Sequence, residues 1–571
     1  MEEVAGINGG GRREMELSEA KLEVEENANL DAIRKQYHKL ALNLHPDKNK
    51  HPKAEIAFKL VLEGTETPRN EDRDGKFKWD EGGDRDKISY PRGLAVVLSL
   101  KGQSREAHEE ASKLNPPLLL CCEVALFFLL ALGCAAKIDG DASFEKCTAR
   151  TGLEPRPHSV SILEFGAVAD GKTLNTIAFQ NAIFYVNSFA DKGGAQIYVP
   201  AGRWLTGSFN LTSHLTLFLE RGATILASQD LSLWETTEPL PSYGRGIELP
   251  GTRYCSLITG HNLKDVVITG DNGTIDGQGS GWWELFNSQS LNHSRPYLVE
   301  LINSIDIIVS NLTFLNSPSW NFHPVYCSNV QVFNVTIHTP PDSPYTSGIV
   351  PDSSNNVCIV NCTISVSHDA IVLKSGWDEY GIAYGKPTTD VQIKFVHLQA
   401  SSGAGLAFGS EMSGGITNVR AEHLHVSNSR AGVKFKTTTG RGGFIQDILI
   451  SDLEVVNVQK ALGIIGQCGS HPDENFDPNA LPVIQRITFK NIVGSNITIA
   501  GAFTGIQESP FTSICLFNIS LPVEDPSNSW VCSYISGHSQ SVFPEPCSDL
   551  TSSSSTCFSL LHSSTGLSAV L

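Results

Sequence analysis

His368 and Asp369 are adjacent side chains that can exchange protons with a substrate. They lie in the segment Ser-His-Asp-Ala-Ile-Val-Leu-Lys-Ser-Gly-Trp, residues 367–377. An imidazole titrates near pH ~6.5 and a carboxyl near pH ~4, so the pair supplies a candidate acid and a candidate base. Lys434 and Lys436 follow, and their spacing places both on one face of a strand. Because lysines are rarely buried in a core, we expect both to face a cleft and bind acidic groups.

The composition excludes some partners and suggests a compartment. The chain has 571 residues and a formal charge of −18, which disfavours nucleic-acid binding because phosphate contacts need clustered Lys and Arg. Ten of the thirteen cysteines follow residue 136, an even number that is compatible with disulfides but does not give their pairing. Together with the sequons, this indicates an oxidising, secretory environment, with chance sequons as the alternative. The Asn-x-Ser/Thr sequons after residue 200 are Asn210, Asn272, Asn292, Asn311, Asn334, Asn361, Asn496 and Asn518.

A short block recurs beyond residue 150 and determines the predicted fold. It reads Asn or Asp, apolar, x, apolar, x, polar, apolar, x, apolar, as in the segments that start at Asp306, Asn329, Asn356 and Asp390. The alternation within each block indicates a strand, and the Gly, Asn, Ser and Pro between blocks indicate turns. No helical pattern of sufficient length separates the blocks. Strands that recur once per coil predict an all-β solenoid, a parallel β-helix.

The sixth position of the block is usually an asparagine, as at Asn311, Asn334, Asn361 and Asn518. Stacked amides can form a hydrogen-bonded ladder along such a solenoid. These four sequons are therefore predicted to be internal and unmodified. The better glycan acceptors are then Asn210, Asn272 and Asn292.

Residues 20–62 differ from the solenoid and read as two helices around a polar turn. The turn contains His45, Pro46 and Asp47. This segment resembles a J-domain, the module that docks on the seventy-kilodalton heat-shock chaperone and stimulates its ATPase. The usual first helix and the usual continuation are poorly matched, so the resemblance covers only part of the module. It implies a chaperone partner through His45, Pro46 and Asp47.

The segments that follow suggest how the chain is processed. Residues 63–117 form a charged linker that we expect to be disordered. Residues 118–136 are apolar except for Glu123, long enough to span a bilayer, and similar to a signal-peptide core followed by small residues. Three interpretations remain open: a buried helix, an uncleaved signal anchor that makes a membrane protein, or an upstream sequence joined to a secretory precursor by misjoined exons. The last is preferred, with the solenoid at 150–535 and a Ser-rich tail at 536–571.

The solenoid region resembles glycoside hydrolase family 28, the polygalacturonases and their plant relatives. The resemblance covers about residues 158–525 and rests on separated motifs in order, at residues 165–183, 193–223, 276–286, 346–362, 367–381, 409–415 and 434–444. It implies a right-handed parallel β-helix that hydrolyses the galacturonan backbone of pectin with inversion, without a metal or cofactor. It also implies a secreted protein of the plant cell wall.

The resemblance also implies residue roles, and the family motifs are altered here. The aspartate of Asn-Thr-Asp-Gly is Ser347, and the Asp-Asp pair is His368-Asp369. Gly-His-Gly is replaced by Gly-Ser-Glu at residues 409–411, and Arg-Ile-Lys by Lys-Phe-Lys at residues 434–436. His368 then stands at the position of the acid and Asp369 at that of a base, while Lys434 and Lys436 bind substrate carboxylates.

Four other carboxylates are candidates to replace the lost aspartates. They are Asp352, Asp378, Glu379 and Glu411. The alternative places Asp352 in a Pro-Asp-Ser turn, Asp378 and Glu379 in a solvated loop, and Glu411 in a turn between strands. Three functions remain open: a pectin hydrolase with an atypical catalytic set, a β-helix that binds pectin without cleaving it, and a J-domain co-chaperone fusion.

Overall fold

The computed structural model describes Cys147, residues 154–525 and residues 529–550. The predicted J-domain-like segment, charged linker and apolar segment lie outside these residues, as does most of the Ser-rich tail. Within the described part, no helix is both long and apolar enough to cross a membrane.

The described chain is built mainly from strands, with three α-helices. The helices are α1 (Thr176–Asn187), α2 (Ser280–Asn287) and α3 (Asp378–Tyr384). The strands up to the middle of the domain are β1 (His158–Ser161), β2 (Ala195–Val199), β3 (Gly202–Thr206), β4 (Phe209–Asn210), β5 (Leu215–Leu219), β6 (Ala223–Ala227), β7 (Thr236–Thr237), β8 (Arg253–Tyr254), β9 (Ile258–His261), β10 (Lys264–Gly270), β11 (Gly273–Asp276), β12 (Val299–Ile302), β13 (Ile305–Leu315) and β14 (Trp320–Val325). The remaining strands are β15 (Ser328–His338), β16 (Ser347–Ile349), β17 (Asn355–Val360), β18 (Thr363–Val366), β19 (Ile371–Leu373), β20 (Thr388–Ala400), β21 (Ala404–Phe408), β22 (Ile416–Lys436), β23 (Phe444–Ile465), β24 (Val483–Thr504), β25 (Phe511–Ser520), β26 (Trp530–Ser533) and β27 (Ile535–Phe543).

These strands pair in parallel from one coil to the next, which makes the predicted parallel β-helix. Among the described residues, every strand ladder is parallel except the small β7–β8 pair. Equivalent apolar residues stack along the interior, so each coil buries its inward side chains on its neighbours. One such stack is Ile307, Val330, Val357, Val391, Val419, Ile448, Ile487 and Ile514.

The repeated block corresponds to two corners of each coil. Its first and sixth residues adopt left-handed backbone angles, with φ between 53° and 62°, including Asp306, Asn311, Asn329 and Asn334. Asn and Asp tolerate this conformation better than other non-glycine residues, which explains the recurring signal. The domain continues to Phe543 at the end of β27, beyond the predicted boundary at residue 535.

The predicted amide ladder exists, but its position differs from the prediction. Asn334 Nδ2 donates to Asn311 Oδ1 at 3.0 Å, and Asn361 Nδ2 donates to Asn334 Oδ1 at 2.6 Å. Asn334, Asn361 and Asn518 are exposed, not internal. The left-handed corners turn these side chains outward, so burial does not exclude glycosylation at these sequons.

One end of the solenoid is covered by α1, and disulfides fix two connections. Phe179, Ala182 and Val186 of α1 are buried against the first coils. Cys147 pairs with Cys358 of β17, and Cys532 pairs with Cys547. The tail cysteine Cys547 is therefore bonded to the last coils.

Candidate active site

The candidate site lies on one ladder of the solenoid, made by β14, β16, β19, β21 and the end of β22. Inward side chains alternate with outward ones: Ile371, Leu406 and Val433 share an inward register. Val372, Ala407 and Lys434 share the outward register. Outward apolar residues of this ladder pack with Tyr297 and Trp320, forming a floor on which charged side chains are placed.

Asp369 precedes β19 and is held by two donors. Its Oδ1 accepts the Ala404 backbone N–H at 2.9 Å, and its Oδ2 lies 2.5 Å from Lys436 Nζ. Burial alone would raise the pKa of Asp369, but Lys436 and His368 outweigh burial and hold that pKa well below its usual range. The same contact, against the opposing effect of burial, raises the pKa of Lys436. Asp369 is thus an ionised carboxylate in a fixed orientation.

His368 lies beside this carboxylate and remains partly open to solvent. Its Nδ1 is 3.5 Å from Asp369 Oδ2, and 32% of its side chain is exposed. Tyr345, itself 61% exposed, packs edge-on against the imidazole with ring centroids 5.5 Å apart. Burial lowers the pKa of His368, and Asp369 only partly opposes that effect while Lys436 and Lys374 add to it.

Lys374 belongs to the same cluster, although strand parity counted from Asp369, five residues earlier, would put it on the opposite face. Asp369 precedes the first residue of β19, so parity along the strand does not apply to it. Lys374 ion-pairs with Glu411 and lies 5.3 Å from the centre of the Trp320 ring.

Glu411 is the candidate substitute carboxylate that reaches this cluster. It lies in the turn between β21 and β22, as the alternative expected, and it is ion-paired there with Lys374. Burial would raise the pKa of Glu411, but Lys374 and Arg441 hold it well below its usual range. Its charge also helps to raise the pKa of Lys436, although burial opposes this effect and Asp369 contributes more.

Asp352 is fully buried, bridges the backbones of Val325 and Lys374, and is engaged with neighbouring side chains, so it is more than a residue of a Pro-Asp-Ser turn. It accepts a hydrogen bond from Tyr243 Oη, and its Oδ2 lies 3.4 Å from His323 Nε2. Sequence reasoning missed His323 and its second partner Glu300, which is 3.0 Å from His323 Nδ1. The sequence did carry a signal for both: Glu300 is a charged residue within the apolar segment 297–302, and His323 is a titratable residue within the largely apolar segment 320–325.

Asp378 and Glu379 begin α3, so the expectation of a solvated loop is wrong for this pair. Asp378 is fully buried, ion-pairs with Arg441 and lies 2.5 Å from His471 Nδ1. These contacts indicate a structural role that fixes α3 to the loop after β23. Burial, and to a lesser extent Asp473, raises the pKa of Glu379.

The spacing of the central pair constrains its chemistry. Inverting glycosidases separate their two carboxyl groups by roughly 6.5–9.5 Å, which leaves room for a water opposite the leaving group. His368 Nδ1 and Asp369 Oδ2 are only 3.5 Å apart. A proton donor that uses His368 must therefore present its other nitrogen, Nε2, to the substrate. Ser347, which stands where the family motif Asn-Thr-Asp-Gly has its aspartate, is 98% buried and contributes no carboxylate.

Comparisons with known proteins support the fold and the ancestry of the domain. A Vitis vinifera protein named "Probable polygalacturonase" is 50% identical over 402 residues, covering 70% of this chain and 82% of that protein. An exopolygalacturonase structure from Thermotoga maritima superposes with a TM-score of 0.58 at 24% identity, covering 69% of this chain and 93% of that one. The polygalacturonase from Erwinia carotovora gives a TM-score of 0.54 at 23% identity, with 69% and 99% covered.

Two family models match separate parts of the sequence. The DnaJ domain model matches residues 20–73, which confirms the predicted J-domain resemblance. The model of glycosyl hydrolases family 28 matches residues 196–542. With the parallel β-helix and the half-identical relative, this match establishes that the chain belongs to glycosyl hydrolases family 28.

Proposed function

We propose that the β-helix domain hydrolyses the galacturonan backbone of pectin with inversion of configuration. The observation that carries this proposal is the ionised Asp369, oriented by Lys436 beside a partly exposed His368. Among relatives, the Vitis vinifera protein that is 50% identical supports the proposal, because it is named "Probable polygalacturonase". Lys434 and Lys436 supply positive charge for the carboxylates of a polygalacturonate chain.

The mechanism uses one proton donor and one acceptor. His368 gives its Nε2 proton to the leaving glycosidic oxygen while the bond from the anomeric carbon to that oxygen breaks. Asp369 accepts a proton from a water whose oxygen forms the new bond to the anomeric carbon from the opposite face. One water is consumed per bond cleaved, and the products carry a new reducing end and a new non-reducing end. Lys436 holds Asp369 ionised before each cycle.

A pectin-binding protein without hydrolysis is the second candidate. It is favoured by the 3.5 Å separation of His368 and Asp369, which is short for an inverting pair, and by Ser347 at an aspartate position. Lys434 would bind acidic sugars equally well without the chemistry, whereas Lys436 and Lys374 are already paired with Asp369 and Glu411.

Release of reducing ends from polygalacturonate by the full chain distinguishes these candidates. Asp369→Asn should reduce the rate by at least about 100-fold, because the base is lost, while binding of the polymer remains. The control is Asp271→Asn, which removes an exposed carboxylate paired with Arg221 and should leave the rate unchanged. Binding without release from any pectic polymer would rule out the hydrolase and leave the binding protein.

We further propose that the β-helix domain is secreted to the cell wall as a glycoprotein. The disulfides Cys147–Cys358 and Cys532–Cys547, both within the described residues, and the exposed sequon asparagines support this location. Retention in a membrane through residues 118–136 is the alternative. A chaperone partner for residues 20–73 rests on the DnaJ match and would use His45, Pro46 and Asp47. That role requires a mature polypeptide that carries both segments, which amino-terminal sequencing would detect.

A further inference from the structure

A row of three rings borders the candidate site: Phe286 of α2, Tyr345 just before β16, and His368. The ring centroids of Phe286 and Tyr345 are 5.8 Å apart, those of Tyr345 and His368 are 5.5 Å apart, and both pairs pack edge-on. Tyr345 is 61% exposed and the His368 side chain 32% exposed, whereas Asp369 is buried. The row therefore presents rings to solvent on the amino-terminal side of Asp369, because α2 and β16 precede β19 along the coils.

Two of these rings are departures from the family motifs. Tyr345 stands where the motif Asn-Thr-Asp-Gly has its asparagine, and His368 stands where the Asp-Asp pair has its first aspartate. Each change exchanges a non-aromatic polar side chain for a ring, and the two new rings contact each other. The row is thus a feature of this chain, and the family motifs do not specify it.

The backbone of Tyr345 is strained, and its ring gains little from burial. Its φ is 51°, in the left-handed region that bulky residues rarely adopt. Because the residue is 61% exposed, burial of the ring offsets little of this strain. Strain of this kind persists where the surrounding structure fixes it, and it is concentrated at sites that bind ligands. A contact between Tyr345 and a ligand would account for a tyrosine at this position.

A buried arginine supports two members of the row from below. The guanidinium of Arg295 lies 4.1 Å from the centre of the Phe286 ring, and its Nη1 donates to the Pro344 carbonyl oxygen at 2.9 Å. Arg295 is itself fully buried and ion-paired with Glu248. One fixed group therefore holds the ring of Phe286 and the backbone that leads into Tyr345.

The residues between Tyr345 and His368 hold their backbones side by side. Thr346 donates its N–H to Ser367 Oγ at 3.3 Å, and His368 donates its N–H to the Thr346 carbonyl oxygen at 2.9 Å. Thr346 and Ser367 are both buried. The exposed rings thus stand on a fixed backbone, so that a ligand that packs on them orders few new groups.

We propose that Phe286, Tyr345 and His368 form an aromatic shelf that binds one sugar ring of the polysaccharide by stacking. One face of a pyranose ring carries mainly C–H groups, which pack favourably on the negative face of an aromatic ring. This inference rests on the proposed polysaccharide substrate and adds to it an uncharged contact on the amino-terminal side of Asp369. The shelf complements the charged contacts that Lys434 supplies on the carboxyl-terminal side.

The test measures binding of hexagalacturonate to the full chain by calorimetry, in an Asp369→Asn background that prevents cleavage. Tyr345→Ala should weaken binding roughly tenfold because the stacking ring is lost, whereas Tyr345→Phe keeps the ring and should bind normally. The loss in Tyr345→Ala should be the same at about 0.05 M and about 0.5 M salt, since salt screens only charged contacts. The loss in Lys434→Gln should shrink over the same range.

Tyr345→Asn separates stacking from a structural role. Asparagine tolerates left-handed angles better than tyrosine, so this variant should unfold at a higher temperature than its parent. It should nevertheless bind the hexamer roughly tenfold more weakly, as the alanine variant does. A lower unfolding temperature would assign Tyr345 to the stability of the fold and overturn the shelf.

The matched control for binding is Tyr534→Ala. Tyr534 is 49% exposed and also has a φ of 51°, but it lies between β26 and β27 in the last coils. Loss of its ring should leave binding of the hexamer unchanged. Equal weakening in this variant and in Tyr345→Ala would contradict a contact specific to the shelf.

The remaining outcomes separate the shelf from the proposed function. Equal weakening in Tyr345→Phe and Tyr345→Ala would mean that the hydroxyl and not the ring contacts the ligand, and the shelf would be wrong. If all variants bind equally while the unmodified chain releases reducing ends, the shelf is wrong and the hydrolase stands. If no release occurs but binding falls in Tyr345→Ala and not in Tyr345→Phe, the shelf stands and the hydrolase fails. Failure of the unmodified chain to bind the hexamer overturns the shelf, and release of reducing ends then decides the hydrolase alone.

Discussion

The proton that His368 would donate is available only below the pKa of its imidazole. Burial and the nearby lysines lower that pKa from its ordinary value of 6.5. A donor must be protonated, so hydrolysis should fall as pH rises through the lowered value. We expect the high-pH limb of kcat/KM on polygalacturonate to lie below pH 6.5. A pH profile of reducing-end release measures it directly.

Two substitutions at this position test the assignment. His368→Asn removes the donor and should lower the rate by about 100-fold or more, whereas His368→Asp restores a carboxyl and should retain activity. Asp is also the residue that the family motif has here. A high-pH limb that persists unchanged in His368→Asn would show that another group donates the proton.

Spacing along the sequence predicted the positions of some residues of this site, whereas the positions of others depend on contacts with residues far away in the sequence. The i, i+2 spacing correctly suggested that Lys434 and Lys436 belong to one outward row. The same parity rule failed for Lys374, which is five residues from Asp369. Asp369 lies before β19, so the direction of the Asp369 side chain does not follow strand parity. The burial of Asp378 depends on Arg441, which is 63 residues away, and no local pattern reports such a partner.

The corner residues of the coils combine a backbone requirement with a side-chain ladder. Asn329 has φ 57°, donates to Asp306 Oδ1 at 2.9 Å and accepts from Asn356 Nδ2 at 2.8 Å. Asn329→Ala should cost about 2 kcal/mol, the sum of left-handed strain and lost hydrogen bonds. Asn329→Gly avoids the strain and should cost about 1 kcal/mol. Chemical unfolding of both variants gives the comparison.

An exposed asparagine away from the corners provides the control. Asn287→Ala, at the end of α2, should change stability by less than about 0.5 kcal/mol. Equal losses in Asn329→Ala and Asn329→Gly would mean that left-handed strain contributes nothing. If Asn329→Ala is as stable as the unmodified protein, neither left-handed strain nor the lost hydrogen bonds contribute to stability at this corner.

The repeated block predicted the two ladders that meet at these corners but not the ladder that carries the site. Strands β14, β19 and β21 are buried at every position, so their sequences are continuously apolar or mixed and show no alternation. Strands buried on both faces lose the period-two signal. In this protein, the outward face of that ladder is covered by the site's own side chains and the loops around them.

The disulfides connect the processing of the whole chain to the stability of its domain. Cys147, shortly after the apolar segment, is bonded to Cys358, a separation of 211 residues. Closing so long a loop stabilises a fold by about 2–5 kcal/mol, and it needs an oxidising compartment. Cleavage near residue 137 would retain Cys147 and this bond. We therefore expect the mature protein to begin there, outside the cell.

Amino-terminal sequencing and intact mass of the protein from the extracellular fraction test this expectation. The mature form should start near residue 137, and Cys147→Ser should lower its unfolding free energy by a few kcal/mol, roughly as the loop-closure argument predicts. The matched variant is Cys255→Ser, because Cys255 is a free thiol and its loss opens no loop. A single polypeptide carrying both His45 and the β-helix would contradict the processing step. Its presence in the membrane fraction would then favour residues 118–136 as an anchor, because cleavage at 137 would have released the domain.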